Sequence, residues 1–405
     1  MIRARLVFAG VLMLVLSLGG LARAETLAIV GGTLIDGSGA PPVPGSLVLV
    51  EEGVVTYAGP LEEMDIPEQA HILDATGGTV VPGLVDAHAH LTAHPDMSPR
   101  QVRRKYLLAG VTLACDLGSS MQGMARLAQD PDGGDMFCRV AFAGPVICAP
   151  GGYPGPMHGE EYSLPVQGPD EARQAVRLLH EQGATLVKLA FETGPAGEWP
   201  VLDQETARAI VDKAHGLSML VRVHVEQYSM LVRALDAGVD IIEHLPHTPD
   251  PNQEPRLPFT GSELSLIPEY QEQLTWMASR GIAVTPTLTA ASRAHWSLDG
   301  PLAAVAAFHE AEGRLAVGTD SPFKGIEPGL PLEEMELLLE AGLSPMEVIA
   351  AATRGGALAC NRADLGLIRP GMAADLVVVD GDPLMDITAL SRLKAVVKAG
   401  QIVTP

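Results

Sequence analysis

Short β-branched apolar runs alternate with amphipathic helical stretches through the middle of this chain, and that alternation restricts the fold more than any other feature. Eight runs read as strands: 79–86, 111–117, 139–147, 184–190, 219–226, 240–245, 282–288 and 314–320. Helical apolar spacing with glycine at or near the C-terminal end marks 170–183, 203–216, 229–238 and 331–342 as the clearest helices, and Pro331 suits a first helical position. Eight strands alternating with helices predict an α/β fold, a (β/α)8 TIM barrel. A doubly wound open sheet is the alternative, but no GxGxxG follows the first strand to support it.

The two ends of the chain differ from this middle. Leu27–Val30, Ser46–Val50 and Val54–Tyr57 read as short strands separated by Gly- and Pro-rich turns, and Asp375–Asp380 and Leu393–Lys398 have the same character. Together they predict one small β-sandwich domain built from separated segments, 25–80 and 359–405, around a barrel over 81–358. Residues 1–24 stand apart. Arg3 and Arg5 precede an apolar run, Leu6–Leu21, and Ala22-Arg23-Ala24 fits a small-x-small cleavage site, the pattern of a secretory signal peptide. The expected location is therefore exported, in the periplasm, with no stable membrane association after cleavage. The net charge of −22 argues against nucleic acid and anionic lipid as partners and by itself points to no specific one, with a homo-oligomer open. Of four cysteines, Cys138 and Cys148 flank one strand whose ends would lie about 30 Å apart at roughly 3.3 Å per residue, too far for a bridge. Reduced, packed cysteines are expected.

If the middle is a barrel, catalytic groups belong at the C-terminal ends of its strands. His88 and His90 end the first strand, on one face by the period of two. Lys188 sits near the end of the fourth, His224 of the fifth, His244 of the sixth, and Asp320 ends the eighth. Taken singly, a lysine in an apolar strand usually reaches solvent, a histidine is usually a hydrogen-bonded core residue, and a strand-end aspartate often caps a helix. Six such groups at matching depth are hard to explain by packing, because charged and metal-binding residues are scarce in buried strands.

This arrangement resembles the amidohydrolase superfamily of metal-dependent hydrolases. The resemblance spans VPGLVDAHAH (81–90), GVTLACDLG (110–118), GATLVK (183–188), DAGVDIIEH (236–244), LAVGTDSP (315–322) and LGLIRPGMAADLVVVDGDPL (365–384). It points to the imidazolonepropionase-like branch that includes Xaa-Pro dipeptidases. The resemblance implies two divalent metal ions, zinc by default. His88, His90 and Asp320 would hold one and His224 and His244 the other, with Lys188 bridging as a CO2-derived carbamate. The ion pair would supply a bridging hydroxide and polarise a carbonyl, while Asp320 would act as the catalytic proton carrier. Asp86, Asp116 and Glu243 are candidate acceptors for the outer nitrogens of the histidines.

Substrate contacts are expected in the strand-to-helix loops, with Tyr153, His158, Glu226, Tyr228 and His247 as candidates. The third-strand loop departs from the branch's Gly-Gly-His by placing Tyr153 at the histidine position. Arg222 shares the face of His224 and requires a carboxylate partner or a substrate anion. The expected activity is hydrolysis of an amide, peptide or cyclic amide bond, dipeptidase-like. Lactone or ester hydrolysis fits the same scaffold. A one-metal heterocycle deaminase is the alternative, although members of that type carry glutamate where this chain has Gln227; a non-catalytic binder would not need the full ligand set.

Overall fold

The computed structural model describes residues 26–134, 136–251, 254–260 and 265–403. The expected signal peptide lies outside them. Among the described residues, no helix is long and apolar enough to cross a membrane.

Two parallel sheets form the centre. In the first, Leu84–Ala89 pairs with Val111–Asp116, which pairs with Arg139–Phe142. In the second, Val146–Cys148, Leu186–Ala190, Leu220–His224, Ile241–Glu243, Ala283–Thr285 and Arg314–Leu315 follow one another in parallel, with Ser163–Pro165 added at one edge. Backbone hydrogen bonds join the sheets on both sides. Ser119 N donates to Gly144 O at 3.2 Å across the break in the third strand, and Ala87 N to Val317 O at 2.8 Å and His90 N to Ser321 O at 2.7 Å tie the eighth to the first. The architecture is TIM-barrel-like α/β.

Alternation along the strands sorts the side chains. Val187, Leu189, Val221 and Val223 enter the core under the helices, while Lys188, Arg222 and His224 take the opposite face. The helices meet that core with apolar residues three and four apart, as in Gly168–Glu181, where Ala172, Ala175, Val176 and Leu179 are buried. Ser98 forms a capping box with Gln101 at the start of Pro99–Leu108, and Asp203 caps Gln204–His215. Pro331 stands at the N-cap of Leu332–Glu340, so the helix begins one position after the expected start.

The first expected strand proves to be two. Gly78–Pro82 pairs antiparallel with Leu376–Asp380, in a five-stranded sheet that also contains Thr33–Leu34, Leu393–Lys398 and Gln401–Val403; only from Leu84 does the chain join the parallel ladder. The switch falls at Gly83. Its N–H bonds Asp375 O at 2.8 Å, and a Cβ there would lie 2.1 Å from Thr112 Oγ1, so only glycine passes. A four-stranded sheet, Val54–Pro60, Ser46–Glu51, Thr26–Val30 and His71–Asp74, lies beside it, and Ile29, Val48, Val80, Leu376 and Val397 share one apolar cluster between the two. The two ends of the chain thus meet in adjoining sheets. All four cysteines are free thiols and buried.

Candidate metal centre and active site

The six strand-end residues converge. His88, His90, Lys188, His224, His244 and Asp320 all line one cavity of about 810 Å³. Nitrogens of His88 and His244 and a carboxylate oxygen of Asp320 lie within 4.8 Å of one another, as do the donor atoms of His224, Glu226 and His244. His244 therefore stands between two donor groups. His90 Nε2 lies against the first group, 2.9 Å from Asp320 Oδ1, the same oxygen that lies 3.3 Å from His88 Nε2. A register shift between Asp86 and Ala89 interrupts the regular period through His88-Ala89-His90, and the two rings end up edge-on, 5.6 Å apart.

The backbone is forced into shape here. His244, Asp320 and Thr287 have φ of 65°, 63° and 50°, the left-handed region that costs a non-glycine residue about 1–2 kcal/mol. Gly318 lets the eighth strand pass the first, since a Cβ there would lie 2.7 Å from His88 Cβ.

Outer partners orient the imidazoles. Glu243 Oε2 takes His88 Nδ1 at 2.7 Å. The Thr287 hydroxyl donates to Pro286 O at 2.8 Å, so its oxygen is left to accept from His244 Nδ1 at 2.6 Å. In both rings the lone pair is thereby placed on Nε2, toward the cavity. Glu243 fills the role expected of it. Asp86 takes no ring proton and instead accepts from Tyr106, from Thr319 and from the His88 backbone. Thr287 went unrecognised in the sequence; its only cue was a Thr-Pro-Thr run at the end of the seventh strand.

The electrostatics favour neutral donors. Burial, then the Lys188 charge, holds His88 and His224 well below the ordinary imidazole range; burial and the neighbouring histidines do the same to His244. Burial brings the Lys188 ammonium down to about 8. Burial opposes the charge on Asp320, but His88 and His90 outweigh it and keep the carboxyl below its usual range. Among the described residues, Lys188 Nζ and His224 Nε2 are buried without a hydrogen-bond partner. Imidazoles with free lone pairs, an ionised carboxylate and a lysine whose proton is loosened by burial form a donor set that divalent cations take, so the residues fit a metal centre.

Arg222 has its carboxylate. Fully buried, it pairs Nε with Glu243 Oε1 at 2.5 Å and donates to Thr285 Oγ1 and Ala359 O, each at 3.0 Å. It is a floor beneath the ligands that braces Glu243 and, through it, His88.

Of the expected substrate contacts, Tyr153, His158, Glu226 and His247 line the cavity. Tyr153 stacks on His224 with centroids 4.1 Å apart and places its hydroxyl 3.2 Å from His158 Nε2. His247 packs against Trp296 at 4.8 Å. Tyr228 does not line it: as the first residue of Tyr228–Ala237, its ring packs on Tyr270 instead. Trp199, Trp296 and Glu192 also form the wall and were not singled out in the sequence, since they sit in loops without a periodic pattern.

The sequence pattern of the amidohydrolase family matches residues 79–403. The chain belongs to the amidohydrolase family. Membership makes it a hydrolase of carbon–nitrogen bonds, in a family that generally uses divalent metal ions. Ochratoxinase from Aspergillus niger is 25% identical over 92% of this chain and 85% of the relative. Imidazolonepropionase from Salinispora arenicola is 25% identical over 86% and 90%. The crystal structure of a putative prolidase from Bifidobacterium longum superposes with a TM-score of 0.78 at 26% identity, covering 95% of each chain.

Proposed function

We propose that this amidohydrolase is an exported binuclear enzyme that cleaves an amide, peptide or cyclic amide bond of a small molecule. The observation that carries the reading is the burial of Lys188 Nζ without a partner in a cavity also lined by His88, His224, His244 and Asp320. A neutral amine there can take up CO2 and become a bidentate carbamate. On this reading His88, His90 and Asp320 would hold one ion and His224 and His244 the other, with Lys188 as the shared ligand. When bound, two divalent cations, zinc by default, would acidify a water and polarise the scissile carbonyl. Asp320, ionised and steadied by His90, accepts the proton of the attacking water and returns it to the leaving nitrogen. Tyr153, His158, Glu226 and His247 face the substrate. The two parallel sheets would act as one closed (β/α)8 cylinder, residues 81–358, with 25–80 and 359–405 as a β-sandwich beside it and 1–24 as the export signal.

Gln227 supports hydrolysis over heterocycle deamination. Its side-chain oxygen is spent on Thr193 N and Oγ1, at 3.2 and 2.7 Å, and so serves the neighbouring loop. The relatives named ochratoxinase and prolidase support an amide or dipeptide substrate, and the cavity is large enough for one. The test is a screen of metal-loaded protein against dipeptides, N-acyl amino acids and lactones. Chelator-sensitive release of an amino acid is expected. Ammonia release from a heterocycle, or cleavage of no amide, would overturn the reading.

A further inference from the structure

Glu192 lies two residues beyond Leu186–Ala190, on the cavity wall, and is only 6% exposed. Its two oxygens are treated differently. Oε1 accepts from Gly194 N at 2.8 Å, whereas Oε2 is buried and has no partner. The loop that carries it is pinned: Gln227 accepts from Thr193 and donates to Gly194 O at 3.4 Å. Trp199 packs directly against Gly194, with its ring in the same wall. Glu226 lines the same cavity.

A carboxylate oxygen held rigid, dry and unpaired is costly unless a donor arrives from the cavity. A second carboxylate on the same cavity, Glu226, adds to the attraction for a cation, as does the Trp199 indole in that wall. Burial raises the Glu192 carboxyl to about 7, so an incoming positive charge is what would hold it ionised.

We infer that Glu192, in a cavity that Glu226 also lines, is a binding subsite for a cationic nitrogen of the substrate, an ammonium on the molecule whose amide is cleaved. The inference rests on the hydrolase reading above and narrows its substrate class to amine-bearing amides. The ammonium can be the α-amino group of a peptide or the end of a basic side chain; both present the same N–H donors.

Calorimetric titration separates these sources. The probes are glycinamide (α-ammonium), Nα-acetyl-L-lysinamide (side-chain ammonium only) and N-acetylglycinamide (neutral). At least one cation should bind about 10- to 100-fold tighter than the neutral amide, as expected for a charge-assisted hydrogen bond. Which one does identifies the source. Glu192→Gln, with a thermal melt like that of the parent, should erase the preference. Equal binding of all three, binding of none, or a preference that survives Glu192→Gln would overturn the subsite. Should Glu192→Gln not fold, the parent protein decides: kcat/KM for Ala-Pro against N-acetyl-Ala-Pro, and for Nα-acetyl-Lys-Pro against the Nε-acetylated form, must favour the free amine in at least one pair. A binding preference without hydrolysis of any amide would sink the hydrolase reading and leave the subsite standing. Hydrolysis without preference would do the reverse.

Discussion

The floor of the cavity and its rim are built by different means. On the floor, His88, Lys188, His224 and His244 project from or directly follow paired strands, so ladder register sets their depth and Glu243, Thr287 and Arg222 set their orientation. On the rim, Tyr153, His158, Trp199 and Trp296 come from loops and from the short helix Gly155–His158, and are held by ring contacts, Tyr153 with His158, Trp199 and His224, and Trp296 with His247. A floor of this kind tolerates little change, because His88 and His244 depend on neighbours that are themselves buried. A rim can vary in residue type while the chemistry beneath it stays the same.

The largest effect should follow from removing the floor's centre. Lys188→Ala is expected to lower kcat by about 1,000-fold or more, since on the proposed reading it removes the anionic side chain shared by the two ions. Steady-state kinetics on whichever amide is turned over checks this, and near-normal turnover would break the contrast between floor and rim. Next comes the brace. Glu243→Gln leaves the Arg222 charge unpaired at 0% exposure and deprives His88 of its charged acceptor. Loss of about 3–5 kcal/mol in denaturant unfolding and about 10- to 100-fold in metal affinity is expected.

A smaller effect concerns pH. Glu334 is fully buried and accepts from Leu288 N at 3.0 Å and Thr289 N at 2.7 Å, anchoring the segment that presents Thr287 to His244. Burial raises its carboxyl to about 7. The folded protein therefore binds this proton more tightly than the unfolded chain does. The contribution is fully present below the unfolded value of about 4.5 and is lost as pH rises toward 7, by up to about 3 kcal/mol. Unfolding free energies from pH 4.5 to 7.5 should fall less steeply in Glu334→Gln than in the parent; identical slopes would remove Glu334 from the account. The smallest effect belongs to the rim. Tyr153→Ala removes the ring stacked on His224, and KM should rise about 3- to 10-fold with metal content unchanged.

The same division decided what could be read from sequence. Strand alternation placed Arg222 on the face of His224, and the ladder sets Lys188 beside Arg222 and Ala190 beside His224, on that same face. The switch at Gly83 was hidden because residues 79–86 are apolar throughout, and a continuous apolar run does not show which sheet each half joins. The grouping of His244 with both donor sets depends on left-handed backbone at His244 and Thr287, which no pattern of residue types announces. Tyr228 was drawn toward the substrate by its nearness to His224 in sequence, yet helix geometry turned it onto Tyr270. Glu192 had only its place after a strand to mark it.

Metal analysis of the purified protein, with and without Lys188, reaches the centre of the argument most directly. Two equivalents of divalent metal per chain in the parent, falling to one or none in Lys188→Ala, are expected. One equivalent or less in the fully loaded parent, or two retained after the lysine is removed, would contradict a paired centre bridged at that side chain.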